Sequence, residues 1–89
     1  MEATKYRIEI NDYENGKTPA AIIGGWSDPE RAAEAAWGLL EAIAQCRDLD
    51  YENQGDQFMA YYKDGHPDAG CGAVSMQVIN EDTGDYYEL

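Results

Sequence analysis

Eighty-nine residues suffice for one modest hydrophobic core and not for two, so residues 1–89 are read as a single domain. Eighteen Asp and Glu against six Lys and Arg give a formal net charge of -12, which excludes direct nucleic-acid binding as the expected role. Disorder is the other reading of so acidic a chain, but 44% hydrophobic and 11% aromatic residues supply material for a packed core.

The first predicted element is a strand over residues 6–10, where Tyr6, Ile8 and Ile10 alternate with Arg7 and Glu9. Asn15-Gly16 then predicts a two-residue type I′ hairpin turn into a second strand over residues 20–25. That closure sets Ile10 opposite Ala21, Ile8 opposite Ile23 and Tyr6 opposite Gly25, so apolar side chains meet throughout.

The segment SDPERAAEAAWGLLEAIAQCR, Ser27 to Arg47, predicts an amphipathic helix. Ser27 serves as cap, Glu30 completes a capping box, and Pro29 falls in the first turn, where a missing N–H costs nothing. Ala32, Ala36, Leu39, Leu40 and Ile43 gather on its inner side, while Glu30, Glu34, Glu41 and Asp48 fall within about 40° of one another on the outer side.

Beyond the helix, residues 48–56 read as an acidic loop around Tyr51. Strands are expected at residues 58–63, 73–79 and 85–89, with Val74, Met76 and Val78 facing the helix. The fold class is therefore α+β in the order β-β-α-β-β-β, an antiparallel sheet of four to five strands with the single helix packed on one face. Arg7, Glu9, Ile22, Ser75, Gln77 and one set of tyrosines are assigned to the open face.

No apolar leader core appears in MEATKYRIEI, and no 18-residue apolar run occurs, so a protein of a reducing bacterial cytoplasm is expected, with no membrane partner. Cys46 and Cys71 are correspondingly read as thiols.

Several patterns resemble sites without meeting their requirements. An EF-hand register from Asp48 puts Asn53 where glycine is required and Met59 where a bidentate Glu is required. His66-Pro67-Asp68 is similar to the tripeptide of J-domain co-chaperones, but it lacks the flanking helices and the preceding basic helix, so a turn is the reading here. His66 and Cys71 offer two soft ligands, too few for structural zinc. A single histidine and the absence of nucleophile-elbow, phosphate-loop or dinucleotide motifs leave a non-catalytic protein, with no metal or cofactor, as the expectation.

The acidity itself points to a partner. Helical rise separates Glu30 from Glu34 by about 6 Å, and Glu34 from Glu41 and Glu41 from Asp48 by about 10.5 Å each, a row of negative charge along one line. Asp50, Glu52 and Asp56 would extend it, with Trp37 and Tyr51 as aromatic anchors, so Glu30, Glu34, Trp37, Glu41, Asp48, Asp50, Tyr51, Glu52 and Asp56 form the expected partner-binding set. The complementary partner is a basic protein surface built for nucleic acid.

In format, SDPERAAEAAWGLLEAIAQC followed by DLDYENQGD and the ending NEDTGDYYEL resembles the small acidic anti-CRISPR inhibitor proteins of phages and mobile elements. That resemblance implies a stoichiometric inhibitor of a CRISPR effector complex, with DNA mimicry as one mode of action; a monomer or homodimer is expected. An immunity or antitoxin protein neutralising a nuclease, or a small phage regulatory protein, is the alternative.

Overall fold

A computed structural model describes residues 4–89. It contains β1 (Tyr6–Asp12), β2 (Lys17–Trp26), α1 (Pro29–Arg47), β3 (Leu49–Asn53), β4 (Phe58–Tyr62) and β5 (Gly72–Asn80). The strands form one antiparallel sheet in the order β2-β1-β5-β4-β3, and α1 packs on one face. The class is α+β, as the sequence patterning indicates. No helix among the described residues is long and apolar enough to cross a membrane.

One of the five strands was not expected, and one expected strand does not form. Leu49–Asn53 is a strand, because Leu49 and Tyr51 alternate with Asp50 and Glu52 as a half-buried edge requires. The acids there mark its solvent face and do not make it a loop. At the C-terminus, the expected strand over 85–89 reduces to one bridge, Ile79 to Tyr86, because the chain end leaves β5 for the β3–β4 turn, where Leu89 N donates to Gly55 O.

The hairpin register holds where side-chain parity sets it, with Ile8 opposite Ile23 and Ile10 opposite Ala21, but its ends differ. Asp12 pairs with Lys17 across a four-residue turn closed from Gly16 N to Tyr13 O, so the predicted two-residue turn does not form. Irregularities on either side absorb the difference, and Tyr6 faces Trp26 where Gly25 was expected. Gly25, at φ 84, carries the second irregularity in a conformation that costs a side-chain-bearing residue.

Asp28 caps the helix, not Ser27. Pro29 forces the residue before it into an extended conformation, and Asp28 at φ -117, ψ 112 already has cap geometry, accepting from Glu30 N at 2.9 Å. At the other end Asp48 adopts the left-handed conformation and donates its N–H to Ala44 O, which reverses the chain directly into β3.

Ala32, Ala36, Leu40 and Ala44 are fully buried, a stripe at four-residue spacing whose three alanines let the helix lie close to the sheet. This stripe is rotated by roughly 40° from the expected inner side at 100° per residue. Leu39, expected inside, is consequently 37% exposed, while Trp37 is drawn inward over β3 and β4. Ile8, Val74, Met76 and Val78 of the sheet are the large side chains covered most completely beneath the helix, each worth about 1.5–3 kcal/mol of burial.

Strand β5 lies at the centre of the sheet, so it is buried on both faces. Ser75, on the face away from the helix, is fully covered and is satisfied by Asn11 Nδ2 at 3.2 Å and the Tyr13 hydroxyl at 3.1 Å. By register Arg7, Glu9, Ile22, Ser75, Gln77, Met59, Tyr61, Asp50 and Glu52 share that face.

Candidate protein-binding edge

The charge of the chain is unevenly cancelled. Arg7 pairs with Glu9, Arg31 with Asp28, Arg47 with Asp12 and Glu14, and Lys63 with Asp48, so four of the six bases are held in pairs. Among the described residues, Glu30, Glu34, Glu41, Asp50, Glu52 and Asp56 have no basic partner within 4 Å. These six lie on α1, β3 or the turn after β3, while Asp64, Asp68, Glu81, Asp82, Asp85 and Glu88, equally without a basic partner among the described residues, lie between β4 and β5 or after β5.

Their arrangement differs from a single line. Glu30 and Glu34 are exposed on the helix, whereas Glu41 is half-buried and lies toward Tyr51. Burial first and the Glu41 carboxylate second push the Tyr51 phenol above its ordinary value. Because β3 is a strand, Asp50 and Glu52 point to the face opposite Tyr51. There they and Asp64 add to the burial that raises Tyr61. Asp48 is neutralised by Lys63 at 2.8 Å, which holds its carboxyl below the usual range. Asp56 is exposed in the β3–β4 turn.

Trp37 and Tyr51 are brought together, with ring centroids 5.2 Å apart, and Trp37 meets Phe58 edge-on at 4.9 Å. Trp37 is thus half-buried, fixed by two aromatic neighbours and not free at the rim. Beside this cluster Ala33, Glu34, Trp37, Asn53 and Phe58 line a shallow groove of about 270 Å³. Its floor is aromatic, and Glu34 supplies its carboxylate.

The sequence reading names Glu34 and Trp37 but misses Ala33, Asn53 and Phe58. Asn53 and Phe58 face each other because Gln54 N donates to Gln57 O and closes the β3–β4 hairpin. The signal was the alternation in Leu49–Asn53, from which that pairing follows.

A second hollow, of about 510 Å³, lies between Glu14, Arg47, Asp48, Tyr62, Lys63 and His66. His66 stacks on Tyr62 at 4.2 Å, and its Nδ1 accepts from Asp68 N at 3.0 Å, so the His-Pro-Asp run folds as a turn between β4 and β5. Arg47 and Lys63 are already committed to carboxylates there. Among the described residues no group of three His, Cys, Asp or Glu side chains is placed to hold a metal ion, and Cys46 and Cys71 are exposed and unpaired.

Comparison with protein-family models, with curated proteins and with solved structures finds no match to this chain.

Proposed function

We propose that this chain is a non-catalytic acidic inhibitor that occupies a basic, nucleic-acid-binding surface of a protein target, with a CRISPR effector complex as the target class. The observation that carries this reading is the groove at Trp37 and Phe58, with the Glu34 carboxylate in its lining and the exposed, unpaired Glu30 one turn earlier on α1. An aromatic floor next to a carboxylate suits the guanidinium or ammonium of a protein side chain, which gains a cation–π contact and a charge-assisted hydrogen bond together. The surrounding carboxylates steer a basic surface toward that groove and supply no chemistry of their own. The format shared with small anti-CRISPR proteins supports the choice of effector.

The test is competition. Purified CRISPR effectors and basic nucleases, each holding labelled DNA, are titrated with the protein at low and moderate salt. Displacement of DNA from an effector is expected, together with at least about tenfold weaker binding of a Glu30→Lys/Glu34→Lys double variant, worth about 1.4 kcal/mol. Displacement from a nuclease alone would assign the immunity-protein reading. If DNA is retained throughout, or the double variant binds as the parent does, the proposal fails.

A further inference from the structure

The acidic side of the sheet ends at β3; the opposite edge, β2, has a different character. From Asn15 to Ser27 the chain carries no carboxylate and a single base, Lys17, in a protein of net charge -12. Nearly all of β2 is exposed, Ile22 at 54% and Ile23 at 41%. Behind it on the open face, Glu9 is neutralised by Arg7 at 2.9 Å. A second acid, Glu81, reaches over Gly24, where an added Cβ would meet its Oε1 at 2.9 Å.

The backbone of this edge is unsatisfied in a definite pattern. Tyr13 N donates to Ala73 O and Glu81 N to Lys5 O, so the odd-numbered residues of β1 bond to β5 and the even-numbered ones bond to β2. Ile8 and Ile10 therefore bond with Ile23 and Ala21, and Ile22 turns its N–H and C=O outward, as does Ala20 by the same alternation. Proline, a common guard of an edge strand, stands at position 19, at the irregularity between Ala21 and Lys17 and on the row facing β1. It removes no donor from the free row.

We propose that this chain self-associates through the free edge of β2, which adds antiparallel to β2 of a second copy and joins two five-stranded sheets into one. Charge selects the occupant: two chains of net -12 repel wherever their carboxylates approach, and β2 is an exposed strand with no carboxylate of its own, Glu81 reaching it only at Gly24. A basic partner, by the same argument, finds no carboxylate of β2 itself to bind.

Symmetry then restricts the register. Antiparallel pairing of identical strands places the twofold axis normal to the sheet, and directly opposed residues must share a face, so the two paired residue numbers differ by an even amount. Setting Ile22 against Ile22 of the second copy meets this condition and centres the apolar run. It opposes Ala20 to Gly24 and Ala21 to Ile23, and every opposed outward residue has a free donor and acceptor. Both helices then lie on the same face of the joined sheet.

Sedimentation velocity and a cysteine probe test this in the full chain. The expected result is a species of twice the 9.9 kDa chain mass that is lost in Ile22→Lys, which sets two lysines against each other while leaving an exposed position and the circular dichroism spectrum intact. In a Cys46→Ser/Cys71→Ser background, Ile22→Cys is expected to crosslink to itself with a short bismaleimide, since hydrogen-bonded pairs stand about 5.5 Å apart at Cα. Glu34→Cys in that background is expected not to. A monomeric parent overturns the proposal, as does a dimer that survives Ile22→Lys, or crosslinking at Glu34→Cys but not at Ile22→Cys.

Discussion

Asp12 is the one buried carboxylate among the described residues, and its replacement by Asn reads out how the hairpin is tied to the helix. Arg47 reaches back from the last turn of α1 to bond both Asp12 oxygens, at 3.2 Å and 3.1 Å, and also holds Glu14 at 3.1 Å. Asn15 Nδ2 adds a third bond to Asp12 at 2.7 Å. The Arg47 bonds first, and Asn15 second, hold the Asp12 carboxyl at about 2 against an ordinary 3.8, more than offsetting the effect of burial. At 1.36 kcal/mol per pH unit this drop is worth at most about 2.4 kcal/mol. Solvent at the Arg47 end, 35% exposed, reduces it to about 1–2 kcal/mol.

The folded pKa lies below the unfolded one, so this stability is fully present above pH 3.8 and is lost as pH falls from there through about 2. Self-repulsion of the other carboxylates relaxes over the same range with the opposite sign, so the informative quantity is the difference between parent and Asp12→Asn. Urea unfolding at pH 7, 4.5, 3 and 2 is expected to show the variant about 1–2 kcal/mol weaker at the two higher values, with the gap closing toward pH 2. A gap that stays constant across the series would refute the argument and make the loss one of packing alone.

Two other substitutions separate local roles. Asp28→Ala should cost about 1 kcal/mol by removing the bond to Glu30 N, whereas Ser27→Ala should stay within about 0.5 kcal/mol; thermal unfolding of the pair distinguishes the two caps. Trp37→Ala should cost about 2–3 kcal/mol, below the range for a fully buried tryptophan because the ring is half-exposed, and chemical denaturation measures it. Competition assays on that variant are meaningful only below its unfolding transition.

The legibility of the sequence depended on which physical rule governed each segment. Hairpin partners Ile8 and Ile23 were readable although the turn chemistry was not, since side-chain parity confines register once one face is apolar. The same parity correctly placed Arg7, Glu9, Ile22, Ser75 and Gln77 on one face. In Leu49–Asn53 two acids obscured an equally regular alternation, and charge density was read as loop. The burial of Ser75 could not be read from alternation, because it depends on β5 lying at the centre of the sheet under Tyr13. Nor could the groove, which exists only once β3 and β4 close beneath Trp37.

The two edges of the sheet follow opposite design rules, and salt distinguishes them. On β3, Asp50 and Glu52 guard the strand against further pairing, so the partner proposed for that side has to supply cations. On β2 the outward row ends in Ala20, Ile22 and Gly24, none of which carries a charge. Binding of a basic surface to the acidic side loses Coulomb attraction as ions are added, and with a screening length of about 10 Å at 0.1 M falling to about 3 Å at 1 M, its affinity should drop steeply. Self-association through β2 brings two chains of charge -12 together against their mutual repulsion, so the same salt should tighten it. Titrating sodium chloride in parallel experiments, one following DNA displacement and the other the sedimenting species, should give slopes of opposite sign. Slopes of the same sign would mean that one of the two edges has been assigned the wrong kind of occupant.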